Sequence, residues 1–296
     1  LPINIKTRGG GGEYRQLGIL TRMSGEEMIL PLMGRPLYSN RSKWQYYTMT
    51  DKNNVVKLPI SSNGRSCTGE YGCDELTNGE TIYVTNGIGS LWRAKKFENN
   101  YIEIIQFDKP YLFKLQENIL LGIAVVIPRN GFEDILKMCT EIGIDLIQPL
   151  FSERQVNRNL NLSKKTLRWN SIINESVEQS ERLWRPSVFD GLNVIDWIKN
   201  RDDQDRISIS VTREDSCDYL NIWLKKQHNF FQKKKVRILW NLIGPEGGWS
   251  STEKNFFIEN KIPMVKLSET ILRTSTACIN ASSILNQWRN ELRLEK

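Results

Sequence analysis

The chain has a single histidine, His228, and only five cysteines, at positions 67, 73, 139, 217 and 278 of its 296 residues. His228 sits in a polar run with Lys225, Lys226 and Lys233 to Lys235, so it reads as a solvated side chain, and a histidine general base is not expected. Scattered cysteines in odd number suit reduced thiols in a cytosolic protein, not a disulfide framework. The Cys67-x5-Cys73 spacing is wrong for a zinc clip and lacks partner ligands, so no metal is expected. No run of eighteen apolar residues occurs; the longest stretch, Ile119 to Ile127, is interrupted by Gly122, and no membrane span is expected. Leu1 to Gly12 lack the apolar core of a secretory signal, which leaves the cytoplasm as the expected location. Neither a phosphate-binding Gly-x4-Gly-Lys-[Ser/Thr] loop nor a G-x-G-x-x-G turn is present.

What is there is ample for a buried core: 39% hydrophobic residues, with nine Trp, nine Tyr and ten Phe. A net charge of +7 favours a polyanionic partner, because lysines and arginines release counterions when they neutralise phosphates. Two basic clusters stand out. One runs from Arg154 to Arg168 with Arg158, Lys164 and Lys165; the other runs from Lys225 to Arg237. Each reads either as an RNA contact or as a solvated face.

Residues 1–78 are punctuated by Gly9 to Gly12, Asn53-Asn54, Asn63-Gly64 and Asn78-Gly79, with short β-prone runs at Trp44 to Thr50 and Val55 to Ile60. They read as a small β-rich module. Residues 79–118 read as a further β segment, with strands at Thr81 to Thr85, Leu91 to Lys95 and Tyr101 to Phe107. From Ile119 strands and helices alternate. The strands are Ile119 to Ile127, Ile144 to Leu150, Arg206 to Val211, Val236 to Ile243 and Met264 to Leu267. The helices are Phe132 to Ile142, Ser163 to Leu183, Val194 to Lys199, Asp215 to Gln227, Ser251 to Glu259 and Thr274 to Leu292. Such alternation predicts an α/β domain over 119–296 with a mostly parallel sheet covered on both faces. Open sheets of this kind bind ligands at the carboxyl ends of their strands, so the site is expected in the loops after Val211, Ile243 and Leu267.

One of those loops is Ile243-Gly244-Pro245-Glu246-Gly247-Gly248-Trp249-Ser250, a glycine-rich turn leading into a helix whose Ser250-x-x-Glu253 reads as a capping box. Another is Leu267-Ser-Glu-Thr-Ile-Leu-Arg273-Thr-Ser-Thr-Ala277. Together they resemble the small-subunit ribosomal RNA methyltransferase E family, whose members carry I-G-P-E-G-G-[aromatic or Leu]-[Ser/Thr] and then L-G-x-x-I-L-R-x-E-T-A. Glu141-Ile142-Gly143-Ile144 is similar to its E-L-G-V. Leu150-Phe151-Ser152-Glu153-Arg154 is similar to its P-L-x-S-E-R. Glu178-Gln179-Ser180-x-Arg182, with Pro186 beyond, is similar to its E-Q-[Ser/Cys]-x-R…P. The resemblance covers about Ile119 to Leu292.

It implies a SPOUT fold, an α/β domain with a trefoil knot, and a homodimer that transfers a methyl group from S-adenosylmethionine to N3 of a uridine in 16S ribosomal RNA. It further implies that the cofactor is held by backbone groups of three loops, here Thr212 to Glu214, Ile243 to Gly248 and Leu267, Ile271 and Leu272. Arg273, Arg182 and Arg154 become the candidate catalytic residues, and Arg154, Arg158, Lys164, Lys165 and Arg168 the candidate RNA contacts.

The sequence departs from the family at Ser268, where the family has glycine, and at Ser275, where it has an acidic residue. Family members begin with a PUA-like barrel, which here only Gly79 to Gln116 resembles. Residues 1–78, with Trp44 to Asp51 and Cys67 to Leu76, instead resemble an uncharacterised domain of large DNA viruses. The alternatives are a non-catalytic RNA-binding SPOUT protein and a SPOUT methyltransferase acting on another RNA.

Overall fold

A computed structural model describes residues 15–20, 30–36, 43–49, 55–57, 60–62, 65–66, 73–74, 77–97, 101–105, 109–155, 165–202, 204–214, 216–233 and 238–294. The chain divides into two compact units, Leu1–Gln116 with Ile173–Arg185, and Glu117–Ile172 with Pro186–Lys296.

The described strands of the first unit form one sheet. Its strands are β1 (Arg15–Leu20), β2 (Leu30–Pro36), β3 (Lys43–Met49), β4 (Val55–Lys57), β5 (Ile60–Ser62), β6 (Arg65–Ser66), β7 (Cys73–Asp74), β8 (Thr81–Thr85), β9 (Ser90–Phe97), β10 (Tyr101–Ile104) and β11 (Leu112–Phe113). The order is β4-β3-β2-β1-β10-β9-β8-β5-β6, with β7 on β3 and β11 on β9. All of these pairings are antiparallel except β1 with β10. The expected boundary at 78/79 therefore does not divide the structure, because β5 pairs with β8 across it. β8, Thr-Ile-Tyr-Val-Thr, is built of β-branched and aromatic residues that suit a pleated surface, and its Ile82 is fully buried opposite Ala94 of β9.

The helical segment Ile173–Arg185 is tied to the turn between β8 and β9. The Gly89 N–H donates to the Leu183 carbonyl and the Arg185 N–H to the Gly87 carbonyl, both at 2.8 Å. Trp184 Nε1–H donates to the Lys114 carbonyl at 2.6 Å. Gly89 has φ +103°, and a Cβ there would lie 2.5 Å from the Lys114 carbonyl oxygen and 2.9 Å from the Trp184 indole, so no other residue fits.

The second unit is the expected α/β layer. Its strands are β12 (Leu120–Val126), β13 (Leu146–Phe151), β14 (Ser187–Val188), β15 (Leu192–Asn193), β16 (Arg206–Ser210), β17 (Ile238–Ile243) and β18 (Met264–Val265). Its helices are α1 (Phe132–Ile142), α2 (Thr166–Gln179, whose second half belongs to the first unit), α3 (Val194–Lys199), α4 (Leu220–Lys233), α5 (Ser251–Glu259) and α6 (Thr274–Leu294). The sheet order is β14-β13-β12-β17-β16-β18, with β15 on β13, and every pairing is parallel. β12 is apolar on both faces because it is covered on both, as a central parallel strand must be. Gly122 faces Trp240 of β17 there; a Cβ would come 2.2 Å from the indole.

Helix α1 buries Phe132, Ile135, Leu136 and Cys139 on one face and stops at Gly143, whose left-handed φ of 112° lets its N–H reach the Cys139 carbonyl. From β18 at the sheet edge the chain returns as α6 to pack on α1, β12 and β17 at the centre. Helices α4 and α6 run past their expected ends, to Lys233 and Leu294, and two other limits have a local cause. α4 begins at Leu220, not Asp215, because Tyr219 first bridges Lys266 and the Lys266 N–H donates to the Asp218 carbonyl at 2.9 Å. α2 ends at Gln179, not Leu183, because Glu181 turns to φ 53°.

Candidate functional site

Because β16, β17 and β18 run parallel, their carboxyl ends lie on one edge, and the three loops that follow them meet around a cleft of about 450 Å³. That is room for a nucleotide-sized ligand. Thr212, Glu214, Ile243, Gly244, Pro245, Glu246, Gly247, Gly248, Leu267, Ile271 and Leu272 all line it, as do Arg154 and Arg273. Arg182 is not among its lining residues; it lines a cavity of the first unit.

The loop after β17 is fixed by its own sequence. Gly248 takes φ +68° and its N–H donates to the Pro245 carbonyl at 2.9 Å. A Cβ on Gly244 would lie 2.9 Å from the Trp249 indole, which is buried and donates from Nε1 to the Ser210 carbonyl at 3.1 Å. A Cβ on Gly247 would meet Arg154 at an ordinary 3.5 Å, so this glycine is not sterically obligatory toward the protein.

Ser250 caps α5 by accepting from the Glu253 N–H at 3.0 Å, and the Glu253 carboxylate accepts in return from the Ser250 N–H at 2.8 Å. The other oxygen of that carboxylate, 1% exposed as a residue, accepts from the Glu153 N–H at 3.2 Å. Glu253 thus joins the glycine loop to the turn that carries Arg154. Arg154 closes the link by donating from Nη1 to the Gly247 carbonyl at 3.3 Å.

In the loop before α6, the Ser268 hydroxyl accepts from the Thr270 N–H at 3.2 Å, and Asn280 Nδ2 reaches back to the Leu267 carbonyl at 3.4 Å. The main-chain groups of Ile271 and Leu272 make no hydrogen bond among the described residues, and Ile271 is 62% exposed. Backbone donors and acceptors left open at a concave site are what a ligand read by main-chain contacts needs. On the opposite wall the Glu214 carboxylate is held by Lys254 Nζ at 2.7 Å. Lys254 lines the cleft and escaped the sequence reading as a site residue, as did the tether Glu253; Arg213, inside the expected loop Thr212 to Glu214, takes a φ of 63° that marks a constrained corner of the cleft.

The remaining RNA candidates scatter. Lys165 lines a separate hollow with Arg129, Phe132 and Trp169. Arg168 is exposed and pairs with Glu133 at 2.6 Å. Arg158 and Lys164 lie outside the described residues. In the second basic cluster Lys226 pairs with Asp218 at 2.6 Å. Cys139 and Cys278 are fully buried, and burial pushes the Cys139 thiol up to about 11 and that of Cys278 well above its ordinary value, so neither acts as a nucleophile near neutral pH.

Comparisons with known proteins identify the family and the fold. The model of the RNA methyltransferase domain family matches residues 115–286, and that of a family of unknown function (DUF5755) matches residues 4–91. The ribosomal RNA small subunit methyltransferase E of Synechocystis sp. is 29% identical over 212 residues, 71% of this chain and 67% of that protein. Its namesake from Buchnera aphidicola subsp. Schizaphis graminum is 28% identical over 194 residues, 64% of this chain and 74% of the relative. The crystal structure of the Neisseria gonorrhoeae enzyme of the same name, bound to S-adenosyl methionine, superposes with a TM-score of 0.57 at 22% identity, over 71% of this chain and 84% of that one, and so shares the fold. With more than half of its length matched by the family model, the chain belongs to the RNA methyltransferase domain family.

Proposed function

We infer that the chain is an S-adenosylmethionine-dependent methyltransferase of small-subunit ribosomal RNA, and that its target atom is N3 of a uridine in 16S RNA. The observation that carries the reading is the convergence of three main-chain loops on one cleft in a chain of this family.

Open backbone groups at Ile271 and Leu272, and the free space over Gly248 where a Cβ would meet nothing within 4 Å, suit an adenosyl group read by main-chain contacts. Thr212, Glu214, Ile243 to Gly248, Leu267, Ile271 and Leu272 would hold it. S-adenosylmethionine supplies an already activated methyl group, so the protein's part is placement. Arg154 and Arg273 border the same cleft, and two guanidinium groups there can bind the negative charge that builds on the uracil oxygens as N3 loses its proton, or grip the adjoining phosphate. Arg154 is pre-positioned by its bond to the glycine loop. No histidine is required.

Among the described residues no helix is long and apolar enough to cross a membrane. The reading extends to a cytoplasmic homodimer, for which light scattering should return twice the mass of one chain. Incubation with small-subunit ribosomal RNA and the cofactor, followed by nucleoside mass spectrometry, should yield 3-methyluridine. A different methylated nucleoside removes the assigned target.

The non-catalytic reading retains one specific support, serine in place of the family's acidic residue at position 275. Calorimetry separates the two, because a chain that binds RNA and gives no heat with S-adenosylmethionine is not an enzyme of this kind.

A further inference from the structure

The first unit contains a cavity of about 320 Å³ that the methyl-transfer site does not use. Its lining includes Tyr83, Tyr111, Leu91, Glu181 and Arg182. Tyr83 stands on β8, and Tyr111 precedes β11; their ring centroids are 5.5 Å apart at a tilt of 47°. The Arg93 guanidinium lies 3.7 Å above the Tyr111 ring, and Tyr111 and the neighbouring Leu112 and Phe113 remain 44%, 51% and 57% exposed. The opposing wall, Val177 to Leu183, is held to the sheet by the bonds from Gly89, Arg185 and Trp184. Glu181 adopts φ 53°, a conformation that costs a non-glycine residue energy and persists where the surroundings impose it.

An exposed ring with a guanidinium on one face, as Tyr111 has in Arg93, offers its other face to an unpaired base, since every base has a π-face, and the arginine adds positive charge beside the strand's phosphates. Two carboxylates, Glu178 and Glu181, line the same cavity, and the more exposed Glu181 adds selection: it accepts only, so it favours a base edge that presents two adjacent N–H donors, which guanine does with N1 and N2. We propose that this cavity binds one unpaired guanine of the RNA, stacked on Tyr111 and held at its Watson–Crick edge by Glu181, as a specificity site separate from the methyl-transfer cleft.

The proposal rests on the RNA-methyltransferase reading for its ligand class, and its test is independent of methyl transfer. Fluorescence anisotropy of the full chain with short single-stranded RNAs carrying one guanosine, inosine, adenosine or uridine should rank guanosine tightest. Inosine, which lacks the N2 amine, should bind about tenfold more weakly, the scale of one lost charge-assisted hydrogen bond. Tyr111→Ala should weaken binding about tenfold and Tyr111→Phe should restore it, consistent with loss and return of a stacked ring. Glu181→Gln should erase the preference for guanosine over inosine while leaving adenosine binding in place. Equal affinity for all four RNAs, or Tyr111→Ala and Glu181→Gln variants that bind like the parent, overturns the proposal. S-adenosylmethionine binding by the unmutated chain, measured in parallel, reports on the methyltransferase reading alone.

Discussion

Replacing Glu253 by alanine removes a carboxylate that fastens two segments a hundred residues apart. One oxygen accepts from the Ser250 N–H at 2.8 Å and the other from the Glu153 N–H at 3.2 Å. Ser250 is 5% exposed, so its N–H loses its partner in a place water does not reach, at a cost of about 2 kcal/mol. Glu153 is exposed, and water can take up its N–H, so the second bond adds little. For a chain of this size that sum lowers the melting temperature by about 5 °C. The functional consequence should be larger than the stability loss suggests. The glycine loop and the Arg154 turn lose their common tether, and S-adenosylmethionine affinity should fall about tenfold, equivalent to about 1.4 kcal/mol. Differential scanning fluorimetry and titration calorimetry read the two effects separately. Glu253→Gln keeps one acceptor oxygen and should fall between parent and alanine in both. An alanine variant that melts with the parent and binds the cofactor as tightly would refute the idea that this carboxylate organises the cleft.

Three further outcomes follow from the packing. Gly122→Ala places a methyl 2.2 Å from the Trp240 indole, in a core with no slack, and should cost about 3 kcal/mol or more in urea unfolding. Arg289, 6% exposed, donates to the Gly143 carbonyl at 2.9 Å and pairs with Asp145; Arg289→Met leaves that carboxylate with the Leu121 N–H but without its cation, and should cost about 3 kcal/mol by the same assay. Iodoacetamide at neutral pH, mapped by mass spectrometry, should leave Cys139 and Cys278 unlabelled in the folded protein and label both once it is unfolded, because burial keeps these thiols protonated and out of reach.

Features encoded within one turn or one helix were legible in the sequence. α1 runs between the limits its apolar spacing and Gly143 imply, and Ser250-x-x-Glu253 forms the capping box its spacing announces. The strand–helix alternation sufficed to put the cleft at the carboxyl ends of β16, β17 and β18, since parallel strands share that edge. Long-range pairings were not legible. The Lys254–Glu214 ion pair joins residues 40 apart, and nothing local in either segment announces it. The bridge from Tyr219 to Lys266 delays the start of α4 for the same reason. Arg182 shows the limit of a motif: its segment Glu178 to Arg182 matches the family in spacing, yet its side chain lines the cavity of the first unit with Tyr83 and Tyr111. A string of residues carries no statement of which unit a helix end will join.

The serine at position 275 allows the last test. α6 has no acidic residue in its first turn, although the positive end of a helix dipole stabilises one there by about 0.5 kcal/mol. Arg273, immediately before the helix, is exposed and makes no ion pair among the described residues. If the family's carboxylate serves to orient that arginine, Ser275→Glu should raise kcat/KM for methyl transfer about tenfold, since a guanidinium held in place loses less rotamer freedom when it meets the developing charge. The gain should disappear in the Ser275→Glu, Arg273→Met double variant, while the small gain in melting temperature from the helix dipole should survive it. A rate increase that persists without Arg273 would assign the carboxylate a different task, and no increase at all would mean that this chain orients Arg273 by other means.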